Sequence, residues 1–166
     1  MITTAKLDSF LIVKGSADAD KELLAFDRAL IMAKVNNVNL IKISSILPPN
    51  ASQIIEFKLT PACLLPIAYS YRTSSIVGEQ LAASVAVGIP TDKSNPGVIM
   101  EYSYNGSAKV AEEKVRWMAE EALRTRNYGI KEILSTSIDH VVHTCGCAFA
   151  GVALVNREII FSLLKP

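Results

Sequence analysis

The sequence predicts an α+β protein, a sandwich of β-sheets covered by helices. Segments with strand character outnumber segments with a helical period. The two clear helical stretches lie far apart in the chain, which favours helices that cover sheets. At 166 residues, with neither an internal repeat nor a linker, the chain is expected to fold as a single domain over 1–166.

Each element has a local reason. Residues 8–14 (DSFLIVK) read as a strand, and Gly15-Ser16 as a turn. Residues 20–35 follow a helical period, with Asp18 or Asp20 able to cap. Residues 38–46 are a strand, stopped by a Pro-rich loop over 47–53. Residues 63–72 and 80–89 are strands joined by a Ser/Gly-rich turn; the second is Ala-rich enough to leave helix open. A polar loop from Pro90 to Gly97 precedes a strand over 98–104. Residues 107–126 are the clearest helix: Ser107 can cap it, Val110, Val115, Met118 and Leu123 supply an apolar stripe, and Asn127-Tyr128-Gly129 stops it. Two closing strands cover 131–143 and 147–156, and the tail reads as a short strand or helix.

Bulk properties exclude several classes. Net charge is +1, from 17 basic and 16 acidic residues. No basic stripe or aromatic stacking platform stands out, so no nucleic-acid partner is expected. Mean hydropathy is +0.29, yet no run of 18 apolar residues exists to cross a membrane. The N-terminal MITTAKLDSFLIVKG lacks the apolar core of a signal peptide, so a soluble cytoplasmic protein is expected. Excess hydrophobicity in a soluble chain points to buried subunit interfaces. Three cysteines fit a reducing compartment better than a disulfide framework.

Cys145-Gly146-Cys147 lies close to His140 and His143, as a metal cluster would. On one strand, however, the two histidines would point to opposite faces, and the spacing matches no common zinc pattern. No metal is expected; the cysteines are read as small side chains packed around Gly146.

The chemistry concentrates elsewhere. In 35–49, VNNVNLIKISSILPP, an aliphatic run reaches Ser44-Ser45 and is stopped by Pro48-Pro49. Each hydroxyl in such surroundings must find a partner or cost about 1–3 kcal/mol. Serines at a strand end often bond local backbone; the other reading is a peptide bond set up for attack by its neighbouring serine. Two carboxylates also occupy apolar positions. At about 100° per residue, Asp27 falls within the helical stripe of Leu23, Phe26, Leu30 and Ile31. It faces a wet crevice, pairs with a Lys or Arg, or lines a pocket for a cationic ligand. Glu101 ends the aliphatic run GVIMEY. Among apolar neighbours, burial disfavours the charged carboxylate and raises its pKa, which would suit a general acid; at an exposed strand end it would do nothing.

In chain order, LLAFDRAL, NVNLIKISSILPP, GVIMEY and CAFAGVAL resemble the pyruvoyl-dependent arginine decarboxylases of archaea and some bacteria, over nearly the whole chain. The resemblance implies two packed, mainly antiparallel β-sheets flanked by helices (αββα). It implies a homo-oligomer, a trimer or hexamer, with active sites at subunit interfaces. It implies a proenzyme that cuts itself between Ser44 and Ser45 into a β chain, 1–44, and an α chain, 45–166. The Ser45 hydroxyl attacks the Ser44 carbonyl, the ester eliminates to a dehydroalanine, and hydrolysis releases ammonia and leaves an N-terminal pyruvoyl group. Neither pyridoxal phosphate nor metal is needed. The ketone joins the α-amine of L-arginine and takes up electrons as carbon dioxide leaves, giving agmatine. By the same resemblance, Glu101 returns a proton to Cα. Asp27 meets the guanidinium, a planar fork that a carboxylate binds through two parallel hydrogen bonds. Leu23, Leu30 and Val38 line the aliphatic part of the pocket, and Ser44 borders it. Asn39 orients the Ser44 carbonyl or stabilises the oxyanion formed on attack.

One position departs from the family pattern. Arg28 follows Asp27 where a small residue is expected. About 100° further round the helix it points out of the pocket; turned inward, it would compete with substrate. The same chemistry on a different amino acid, and a non-catalytic, uncleaved oligomeric homologue, therefore stand as alternatives.

Overall fold

The computed structural model describes residues 7–164; the first six residues of the N-terminal segment and the last two of the tail lie outside the described residues. In order the elements are β1 (Ser9–Ala19), α1 (Glu22–Met32), β2 (Asn39–Lys42), β3 (Ile46–Leu47), β4 (Ser52–Gln53) and β5 (Leu64–Ser74). There follow β6 (Gln80–Pro90), β7 (Gly97–Asn105), α2 (Ala108–Thr125), β8 (Ile130–Val141), β9 (Cys145–Val155) and α3 (Arg157–Leu164). The strands form a mixed five-stranded sheet, β2-β5-β9-β1-β4, and an antiparallel four-stranded sheet, β3-β7-β6-β8. The parallel pairs in the first are β1 with β4 and β2 with β5.

Layering follows from strand periodicity. β9, CGCAFAGVALV, is buried along its whole length, the pattern of a strand covered on both faces. Cys147, Phe149, Ala153 and Val155 face the core under α1. Ala148, Ala150, Val152 and Leu154 face the core between the sheets, with Phe10, Val85, Val87 and Ile99. A third cluster, Ala86, Val98, Val115, Ala119 and Leu123, packs α2 on the second sheet. The helix left open for 80–89 is not realised, because both faces of this strand are covered and its side chains alternate between two cores.

Gly15 is not a turn. β1 runs through it to Ala19, and a Cβ there would lie 2.2 Å from the Ala29 carbonyl oxygen and 2.7 Å from the Ala33 nitrogen. The missing side chain lets α1 lie directly on the strand, with Ala25, Ala29 and Ala33 as the contacting face. The larger apolar residues Leu23, Leu24, Ile31 and Met32 therefore face out of the protomer. α1 also lacks the expected cap: Lys21 occupies that position without a side-chain bond. Asp18 is engaged elsewhere, and Lys34 at φ +61° ends the helical stretch early. Ser107 does cap α2, accepting from the Val110 N–H. The buried stripe of α2 is Ala111, Val115, Ala119 and Leu123, whereas Val110 is exposed. In both helices alanines make the close contact.

The two histidines are not on opposite faces of one strand. β8 ends at Val141, His143 lies in the turn, and the rings meet edge to face at 6.3 Å. The Asp18 carboxylate accepts from the His140 ring and from the backbone N–H of His143 and Thr144. Among the described residues, no three His, Cys, Asp or Glu side chains gather as a metal site. Cys145 and Cys147 are buried free thiols, and burial pushes the Cys147 thiol up to about 12. The tail forms α3, and among the described residues no helix is long and apolar enough to cross a membrane.

Candidate active site

The strand expected over 38–46 is broken. β2 pairs with β5 in the first sheet, and the Ile43 N–H still donates to the Ile67 carbonyl at 3.2 Å. Two residues later the Ser45 carbonyl accepts from the Ile99 N–H at 2.9 Å, and Ile46 pairs with Val98 in the second sheet. The Ser44–Ser45 bond is thus where the chain passes from one sheet to the other. Ser45 adopts φ +63°, a left-handed conformation that costs a residue with a Cβ about 1–2 kcal/mol. Ser44 is exposed and Ser45 half-buried.

β7 brings Glu101 to this crossing. Two residues beyond the buried Ile99, it shares that residue's strand face and stands at the mouth of the inter-sheet core. The Ser45 hydroxyl donates to Glu101 Oε2 at 3.3 Å. Glu101 Oε1 lies 3.2 Å from Lys42 Nζ, and its side chain is 23% exposed. The sequence predicts apolar neighbours for this carboxylate; it finds an ammonium and a hydroxyl instead. Lys42 also donates to the Tyr69 carbonyl at 3.1 Å and lies 4.9 Å from the centre of the Tyr69 ring. Behind Glu101, the Ser70 and Ser84 hydroxyls both reach the Tyr102 carbonyl, fixing β7 against β5 and β6. Lys42, Tyr69, Tyr71, Glu101 and Tyr102 line an open cleft of about 280 Å³, near the lower end of small-molecule sites.

The other expected site residues stand apart within one protomer. Asn39 donates its side-chain amide to the Ala62 carbonyl at 3.1 Å. Leu30 and Val38 pack with Phe26 against the core beneath α1. Leu23 is 77% exposed, and Asp27 is exposed with no hydrogen bond or ion pair among the described residues. None of these five lines the cleft. A row of rings connects the two regions: Phe26 lies 4.8 Å from Tyr71, and Tyr71 lies 6.2 Å from Tyr69. Arg28 points away from Asp27, donating to the Asp18 carbonyl at 2.8 Å.

Lys42 and the two tyrosines were legible but not singled out. Lys42 is the one charge in NVNLIKISSILPP, and AYSY places two rings on one strand face. The arrangement can move a proton from Ser45 to a carboxylate beside a strained, exposed peptide bond. It can also present that carboxylate to a ligand in the adjoining cleft.

Comparison with known proteins identifies the family. Residues 9–158 match the family model described as "Pyruvoyl-dependent arginine decarboxylase (PvlArgDC)". A pyruvoyl-dependent arginine decarboxylase of Methanocaldococcus jannaschii is 45% identical over 143 residues, covering 86% of this chain and 87% of its own. That of Methanococcus vannielii is 46% identical with the same coverage. That of Methanothermobacter thermautotrophicus is 35% identical over 150 residues, covering 87% of this chain and 95% of its own. With the match running from β1 into α3 and the Ser44-Ser45 crossing inside it, the chain belongs to the pyruvoyl-dependent arginine decarboxylase family.

Proposed function

We propose that this chain is a self-processing decarboxylase that converts L-arginine to agmatine and carbon dioxide. The observation that carries the reading is the Ser45–Glu101 contact at the strained crossing between sheets. Glu101 accepts the Ser45 proton as the hydroxyl attacks the Ser44 carbonyl, and the chain is cut into 1–44 and 45–166. The residues fit a pyruvoyl group at position 45: the serine that would supply its atoms bonds Glu101, which lines the cleft, and its carbonyl is held by the Ile99 N–H. Bound substrate would find there the electron sink that stabilises the departure of carbon dioxide. Glu101 then delivers a proton to the substrate Cα.

Asp27 is read as the guanidinium partner. Its freedom from Arg28, which is occupied by Asp18, favours arginine over a substrate without a cationic end. Asp27 sits on an apolar outward face with Leu23, Leu24 and Ile31. Such a face is expected to be covered in a trimer or hexamer, with Asp27, Leu23, Leu30 and Val38 completing the pocket at a subunit boundary. Three free cysteines accord with a cytoplasmic location.

The test is the intact mass of the purified protein under denaturing conditions. Scaling 18.0 kDa over 166 residues, cleavage after Ser44 gives fragments of about 5 and 13 kDa, as chain length dictates. The larger should lack a free amino terminus and react with carbonyl reagents. One 18.0 kDa species that does not turn over arginine would instead mark an uncleaved homologue.

A further inference from the structure

We propose that Lys42 is a positioning residue for this chemistry: its ammonium aims the Glu101 carboxylate at Ser45 and, after the cut, ties the end of one chain to the other. The proposal rests on the role given above to Glu101. That carboxylate is held at both oxygens, Oε1 by Lys42 at 3.2 Å and Oε2 by Ser45 at 3.3 Å. A glutamate held at one oxygen retains its broad terminal torsion; the second contact removes that freedom. Lys42 is itself anchored, by the Tyr69 carbonyl, by the Tyr69 ring and by the pairing of β2 with β5.

Exposure decides what the pair is for. Lys42 is 56% exposed, and an ion pair this wet contributes little to stability. Its effect should therefore appear in rates and leave folding nearly untouched. Its place in the chain adds a second consequence. Lys42 lies two residues before Ser44, whereas Glu101 lies beyond Ser45, so cleavage leaves the ion pair spanning two separate chains. The Lys42–Glu101 pair keeps the β-chain end over the cleft in which Glu101 acts.

The test uses the full-length chain as Lys42→Met, Lys42→Arg, Glu101→Gln and the double variant Lys42→Met/Glu101→Gln. Cleavage is followed by denaturing mass spectrometry, and kcat and KM for arginine are then measured per cleaved chain. Lys42→Met should slow cleavage and lower kcat by about tenfold, with KM changed less than about twofold, an effect within the coupling range of residues in contact. Lys42→Arg should restore most of both rates, and melting temperatures should stay close to the parent's. In the Glu101→Gln background the lysine substitution should add nothing, because no carboxylate remains to be aimed. Parental rates in Lys42→Met, or losses that multiply in the double variant, would overturn the proposal while leaving Glu101 in place. Parental behaviour of Glu101→Gln would instead remove the role of Glu101, and the role of Lys42 with it.

Discussion

The Ser45 hydroxyl and the Glu101 carboxylate lie 3.3 Å apart although they arrive from different directions, one at a passage between sheets and one from the middle of β7, where that strand's burial becomes partial. Ser45 makes this contact from a left-handed backbone, and the Ile99 N–H binds the carbonyl of the same residue. Ser45→Ala removes the nucleophile and leaves this backbone arrangement available. It should remain one 18.0 kDa chain and show no decarboxylation. Cleavage of that variant at the same bond would rule out attack by Ser45.

Glu101→Gln keeps the shape of the side chain but can neither accept the Ser45 proton nor deliver one to substrate. Self-cleavage should slow, and kcat per cleaved chain should fall by about 10²–10⁴, the usual worth of a general acid or base. KM for arginine should move little. A variant that bound arginine poorly but turned it over normally would place Glu101 in substrate binding instead.

Asp27→Asn should show the opposite division. Loss of a charge-assisted pair to a guanidinium costs about 1.5–3 kcal/mol, which corresponds to a KM raised roughly tenfold or more with kcat little changed. Arg28→Ala is the informative companion. Because Arg28 binds the Asp18 carbonyl and not Asp27, it should leave KM within about twofold, as most surface substitutions do. A marked fall in KM would mean that Arg28 visits the Asp27 carboxylate in solution.

What the sequence made legible was whatever depends on local periodicity. Both long helices, β7 and the apolar run of β9 follow from spacing, whereas β1 runs on through Gly15 and β6 is a strand only because both of its faces are covered. The passage at Ile43–Ser45 was hidden because NLIKISSIL is continuous in hydrophobicity. Its break depends on pairing with Ile67 on one side and Ile99 on the other, partners more than twenty residues away. The buried faces of α1 and α2 were hidden for a different reason. Alanine is a weak hydrophobic signal, so Leu23 and Val110 draw attention while Ala29 and Ala119 make the contact. Lys42 carries no mark of this contact in the sequence, because a pattern cannot show that its ammonium folds back onto Glu101.

Gly15 tests the close approach that those alanines permit. A Cβ at this position meets the Ala29 carbonyl oxygen at 2.2 Å, and a main-chain atom of a packed helix cannot step aside as a side-chain tip can. Gly15→Ala should force α1 off β1 and destabilise the fold by about 1–3 kcal/mol, the range for an overpacked core. It should be read as a lower urea midpoint with unchanged slope. Adding Ala29→Gly should not rescue it, because the colliding atom is the carbonyl oxygen and not the alanine methyl. Rescue would show that the helix approaches the strand through side chains only.

Asp18 gives the fold a stability term that acid removes. Burial pushes its carboxyl up, but the N–H groups of Thr144 and His143 and the His140 ring more than offset this, and the pKa lies below the ordinary 3.8. A group whose folded pKa is depressed contributes stability that is complete above its unfolded value and disappears as pH falls through the folded one. The carboxylate ties β1 to the turn between β8 and β9, so Asp18→Asn should cost about 1–3 kcal/mol at neutral pH. The difference between parent and variant should hold from pH 7 to about pH 5 and shrink below about pH 4, where the parent begins to take up the proton on folding-linked terms. Urea midpoints at pH 7, 5 and 3 measure this directly. A difference that stays constant down to pH 3 would mean that Asp18 stabilises the turn through its shape and not through its charge.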